Sequence, residues 1–142
     1  QQALYYKAAV RSAVTELLLL LFRRYVSERS PSSRKEHGKM EMVRQAIAFL
    51  RQHYQEEIAV EDLCELTGFS KYYFCRSFKE VTGLTAVEYR NILRCEQARR
   101  LILEGKAVGE AAELTGFHNL SYFSKVYQKH MGTLPSRNLR SV

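Results

Sequence analysis

Apolar residues recur at helical spacings along most of the chain, and the strict alternation that marks a half-buried strand is absent. Val14, Leu18, Leu21 and Tyr25 step by four, three and four within a stretch, 3 to 26, that holds neither Gly nor Pro, and this is the rhythm of a helical seam. Leu17 to Phe22 is apolar on every side for more than a turn. A helix of that kind needs cover, from a second copy, from a domain outside this sequence, or from the rest of the chain. Residues 27 to 39 are polar, carry Pro31 and Gly38 and show no period, which predicts a flexible linker. From Met40 the helical period returns, with Val43, Ala46, Ile47, Leu50 and Tyr54 lining a first amphipathic helix.

Beyond that helix the chain repeats itself. Leu66-Thr67-Gly68-Phe69 recurs 48 residues later as Leu114-Thr115-Gly116-Phe117. Tyr73-Phe74, Phe78 and Gly83 recur as Tyr122-Phe123, Tyr127 and Gly132, now 49 residues on, so one residue is inserted just after the turn. Each unit reads as a short helix, a tight turn and a second helix. Where two helices cross steeply the first needs a small residue, here Cys64 or Ala112, and the turn needs positive φ, hence Gly68 and Gly116. The second helix closes the junction with Phe74 or Phe123. That is the pattern of a helix-turn-helix, present twice. Both short helices begin at an alanine, Ala59 and Ala107, where a Ser or Thr cap is expected; Glu61, Asp62 and Glu110 place acid in the first turns instead.

The second helix of the first unit starts at the cap Ser70 and buries Phe74, Phe78 and Val81. Its other face carries Lys71, Tyr72, Cys75, Arg76 and Lys79, bases without an acid. The matching face of the second unit is His118, Asn119, Leu120, Ser121, Ser124, Lys125 and Lys129, again without an acid. Helices that begin with hydrogen-bonding side chains and present basic, polar faces suit the major groove of DNA. Between the units, 85 to 103 forms a helix of about 28 Å at the helical rise, close to the roughly 34 Å that separates major grooves on one side of a duplex. It predicts a rigid spacer between two readers. The expected fold is all-α: about seven helices in two tandem helix-turn-helix subdomains joined by a long central helix, with a separate N-terminal amphipathic helix. The expected domains are 1–26, the linker 27–39, and 40–142.

Charge sharpens this picture more by location than by amount. The chain has 142 residues and a net charge of +7. Residues 1–40 hold 8 bases and 3 acids, 41–65 hold 2 and 6, and 66–142 hold 12 and 6; the bases therefore gather where the reading faces are, with the acids on the supporting helices. Cys64, Cys75 and Cys95 are odd in number and widely spaced, which indicates neither a disulfide framework nor a zinc site and fits a reducing cytoplasm. No apolar run approaches the roughly 20 residues of a bilayer span. His37, His53, His118 and His130 are scattered and no phosphate-cradling glycine loop occurs, so no enzyme, metal or cofactor is expected in this segment. The rival reading is a helical dimerisation or protein-interaction module with incidental DNA affinity.

Leu63-Cys64-Glu65-Leu66-Thr67-Gly68-Phe69-Ser70, Tyr73-Phe74, Phe78-Lys79, Gly83-Leu84-Thr85, Arg94 with Ala98 and Leu101, Gly116-Phe117, Ser121-Tyr122-Phe123, and Gly132 with Pro135 together resemble the AraC/XylS family of transcription regulators, over about 40–140. The resemblance implies a DNA-binding domain of about seven helices behind a sensor domain that binds a small effector, with residues 3–26 as the last, dimerising helix of that sensor. It implies a regulator, an activator in the commoner case, that binds double-stranded DNA, engages RNA polymerase and forms a homodimer through that helix. Tyr72, Cys75 and Arg76 from one helix, and Leu120, Ser121, Ser124 and Lys125 from the other, would face bases. Ser70, Lys71, Lys79, Arg90, Asn119 and Lys129 are expected beside the DNA backbone. The chain departs from the family pattern at Ala86, where Pro is usual, at Tyr127-Gln128 in place of Phe-Lys, and at Asn138-Leu139 in place of Tyr-Arg; the second unit should then lean on the first for affinity.

Overall fold

The computed structural model describes residues 14, 17–19, 21 and 31–136, with backbone alone at 31–33. The chain divides between Met40 and Glu41 into two compact units. In the first, Val14, Leu17, Leu18, Leu19 and Leu21 are helical and 50–60% exposed. Tyr25 and the rest of the expected 3–26 helix lie outside the described residues.

Six helices follow: α1 Pro31–His53, α2 Val60–Thr67, α3 Lys71–Thr82, α4 Ala86–Leu103, α5 Val108–Leu114 and α6 Leu120–Met131. No strand occurs among the described residues. The seventh of the expected helices is not found among the described residues; Pro135 and Ser136, the last described, form a turn of 3₁₀ helix.

The linker expectation needs correction, because 31–39 is helical. Pro31 occupies the first helical position, where its missing N–H would have had no partner. Arg34, Lys35 and Glu36 favour helix, and Gly38 costs only about 1 kcal/mol in a helix interior. This segment has no apolar stripe, so nothing in its hydrophobic pattern announced a helix. Residues 27–30 are outside the described set.

The second unit holds two separate cores. In the first, α1 contributes Met42, Val43, Ala46 and Leu50, which meet Leu63 of α2, Phe74 and Phe78 of α3, and Ala86 of α4. In the second, Cys95, Ala98 and Ile102 of α4 meet Ala111 and Ala112 of α5, then Phe117, Phe123, Val126 and Tyr127. The central helix is thus more than a spacer: its first half belongs to one core and its second half to the other. Its start is fixed by a reciprocal cap in which Glu88 N–H donates to Thr85 Oγ1 at 3.2 Å and Thr85 N–H donates to Glu88 Oε2 at 3.0 Å.

The repeat is structural. Gly68 adopts φ +76 and Gly116 φ +89, the left-handed conformation each turn needs. The inserted residue is His118: α3 is capped two residues after Gly68, by Ser70, and α6 three residues after Gly116, by Asn119. The copies also differ in burial. Phe69 is 36% exposed, whereas Phe117 is buried.

Candidate nucleic-acid interface

α3 and α6 occupy equivalent places in their subdomains, each turning one aromatic row inward and one polar row to solvent. On α3, Phe74, Ser77 and Phe78 are buried, which leaves Lys71, Tyr72, Cys75, Arg76 and Lys79 exposed. Tyr72 is 76% exposed. On α6, Phe123, Val126 and Tyr127 are buried, Leu120, Ser121, Lys125 and Lys129 are exposed, and Ser124 is half-buried. Of the residues expected to face bases, all but the half-buried Ser124 are therefore exposed on their helices.

Both helices begin with a side chain that caps and can still donate. Ser70 Oγ accepts from Tyr73 N–H at 3.4 Å and keeps its own hydroxyl hydrogen. Asn119 Oδ1 accepts from Tyr122 N–H at 2.8 Å and keeps its amide NH₂. A helix N-terminus carrying spare donors is a natural seat for a phosphate oxygen.

The faces are not free of acid, contrary to the linear reading. Lys71 Nζ meets Glu61 of α2 at 2.5 Å, Arg76 Nε meets Glu80 at 2.8 Å, and Lys129 Nζ meets Glu88 of α4 at 3.5 Å. Glu80 was hidden one helical turn from Arg76, and Glu61 and Glu88 come from neighbouring helices. The hydrogen bond to Lys71 pulls the Glu61 pKa below its usual value, and the one to Glu80 pushes that of Arg76 further up. Such exposed pairs are weak and salt-screened, so they hold the side chains in place without withholding them from a polyanion.

Arg90 is placed differently from expectation. It is half-buried, its Nη1 donates to the Ile58 carbonyl at 3.0 Å, and its buried Nε has no hydrogen-bond partner. It lines a small cavity with Leu50, Ile58, Val60 and Leu63, on the side of α4 that closes the first core. A basic letter in a helical stretch does not say which face it takes.

Two residues that hold the readers in place escaped the sequence reading. Asn91, 5% exposed, donates from Nδ2 to the Tyr122 hydroxyl at 3.1 Å and so ties α4 to α6. Arg94 was noted only as part of the family pattern, yet its side chain is 4% exposed and joins the two subdomains. Among the described residues no cluster of His, Cys, Asp or Glu could hold a metal ion, and no helix is long and apolar enough to cross a membrane. Burial pushes the Cys95 thiol up to about 12, which leaves it an inert core residue.

Known proteins share this arrangement. A helix-turn-helix domain family matches residues 63–141, more than half of the chain. The HTH-type transcriptional regulator YbfI of Bacillus subtilis is 40% identical over 80 residues, which cover 56% of this chain and 29% of that protein. The chain spans 29–43% of the length of four such bacterial regulators. A probable AraC family transcriptional regulator from Rhodopseudomonas palustris superposes with a TM-score of 0.66 at 27% identity, covering 70% of this chain and 95% of that one. The DNA-binding domain of AdpA, a global transcriptional factor held in complex with a target DNA, superposes at 0.63 with 26% identity, over 70% and 90% of the two chains. With two matching subdomains, their caps and their reading faces in place, the chain belongs to the AraC-type helix-turn-helix family of DNA-binding transcription regulators.

Proposed function

We propose that this chain reads two successive major grooves of double-stranded DNA as a single monomer, with α3 in one groove and α6 in the next. The observation that carries this is the pairing of two exposed, N-capped helices in equivalent settings on either side of α4, which is about 27 Å long at the helical rise. Tyr72, Cys75 and Arg76 face bases from α3; Leu120, Ser121, Ser124 and Lys125 do so from α6. Ser70, Lys71, Lys79, Asn119 and Lys129 contact phosphates, while Arg90 serves the core. This is a binding module and performs no chemistry of its own.

The wider role follows from the family. The segment up to 26 belongs to a preceding sensor domain that binds a small effector and supplies its dimerising surface, and the apolar, exposed positions Val14, Leu17, Leu18, Leu19 and Leu21 support a homodimer through it. The DNA-binding domain takes up the chain from residue 40. The regulator acts in the cytoplasm as an activator that engages RNA polymerase, as the likeness to AraC/XylS regulators suggests.

A gel-shift titration with specific and scrambled duplexes across salt concentrations tests the reading. Selective retardation with a steep salt slope is expected. No retardation at low salt would leave the protein-interaction module as the better description.

A further inference from the structure

The second anchor between the subdomains is a single guanidinium. Arg94, on α4, donates from Nε to the carbonyl of Tyr54, from Nη1 to that of Gly116 at 2.7 Å and from Nη2 to that of Glu56 at 2.9 Å. Glu57 Oε1 lies 3.5 Å from Nη2, and the ring of Phe117 lies 5.5 Å from the guanidinium carbon. Residues 54–57 lead into the first helix-turn-helix, and 116–117 form the turn of the second. The packing there leaves no slack: a Cβ on Gly116 would stand 2.4 Å from the Gln55 carbonyl oxygen and 2.9 Å from Arg94 Cζ. Burial pulls the Arg94 pKa down, helped by the nearby Arg90 charge and opposed by Glu57, so the site costs solvation. That cost is offset because the planar fork meets several fixed carbonyls at once.

We infer that Arg94 is the positioning residue that sets the rotational phase between the two reading helices, an inference that rests on the two-groove reading above. α4 alone joins the subdomains along one line. The guanidinium adds a second joint off that line, and the α6 subdomain cannot swing about α4 without stripping buried carbonyls of charged donors. Asn91 to Tyr122 braces the same side. Phase matters because moving one half-site by a base pair turns it by about 34° around the duplex, given roughly 10.5 base pairs per turn. Lysine at this position would keep the charge and lose the fork, since an ammonium is a point donor.

The test uses the full chain, native and Arg94→Lys. Three kinds of duplex are needed: both half-sites at the preferred spacing, both with the spacing changed by one or two base pairs, and one half-site alone. The native chain is expected to lose ~10-fold or more in affinity at the wrong spacing, on the scale of a mismatched base pair or two. Arg94→Lys should melt cooperatively and bind the single half-site as the native chain does, yet distinguish the spacings by no more than about 3-fold, as a reader with a loosened joint would. Retention of the native spacing preference by Arg94→Lys would overturn the inference. So would loss of cooperative melting, which would make Arg94 a residue of the fold instead of the phase, and so would a native chain indifferent to spacing. If the native chain binds one half-site as tightly as two, the two-groove reading itself fails and the inference falls with it.

Discussion

Arg76 carries the sharpest expectation at the scale of single residues. It lies between Tyr72, one turn before it, and Glu80, one turn after it, and Glu80 engages it through Nε. Binding through Nε suits a base reader, because guanine is paired by a bidentate approach to O6 and N7. Arg76→Ala should cost about 1–3 kcal/mol on the preferred duplex and blur one base position, measured by anisotropy titration against single-base variants. Equal losses on preferred and scrambled DNA would reassign Arg76 to a phosphate. Arg90 shows the opposite outcome for the same residue type. It stands on α4, where the side it occupies closes a core.

Two predictions belong to the elements. Ala59 is the N-cap of α2 with extended backbone and no side-chain acceptor, while Asp62 already returns a carboxylate to the Ala59 N–H at 2.8 Å. Half of a capping box is therefore built, and Ala59→Ser should complete it and add ~1 kcal/mol, seen as a higher melting temperature. An unchanged melt would mean the serine hydroxyl does not reach the first turn. At the start of α4 the box is whole. The Thr85 backbone N–H, followed by its hydroxyl, holds the Glu88 carboxyl below its ordinary value of 4.5. A depressed folded pKa stabilises above that ordinary value, and the gain disappears as pH falls through the folded one. Native protein should thus outlast Glu88→Gln in denaturant at neutral pH, and the difference should shrink as pH falls below 4.5 and vanish below the lowered pKa of the folded protein; a difference that stays constant on acidification would assign the effect to packing.

How legible these elements were depends on how local their causes are. The repeat, its two turns, the cap Ser70 and the inward rows of α3 and α6 follow from residues a turn or two apart and are legible in the sequence; the Thr85–Glu88 box is just as local, yet the helical period alone does not reveal it. Asn119 was read as part of an exposed set, and its cap geometry emerged only when the inserted His118 was seen to move the helix start. The helical 31–39 segment went unread because it buries nothing. The Arg94 joint and the acids beside Lys71 and Lys129 could not be read, because their partners lie 10 to 41 residues away on other elements and meet only when the chain folds. Glu80, four residues past Arg76, is by contrast a local signal, an i,i+4 partner that the sequence itself displays.

For the molecule as a whole, net charge is a poor guide: the excess of bases over acids is larger in 1–40, with 8 bases and 3 acids, than in the whole of 41–142, with 14 and 12, the unit that carries both reading helices. What distinguishes that unit is the doubling of one small motif about a helix shared by two cores. Doubling predicts a composite target, read in series by one chain, with the block under α6 more loosely specified because its helix offers Leu120, Ser121, Ser124 and Lys125 and no arginine. Selection of bound duplexes from a random library by the full chain examines this directly. The expected result is enrichment of two short blocks whose centres lie about 10–10.5 base pairs apart, the stronger one centred on a guanine. A single enriched block, or none, would contradict it.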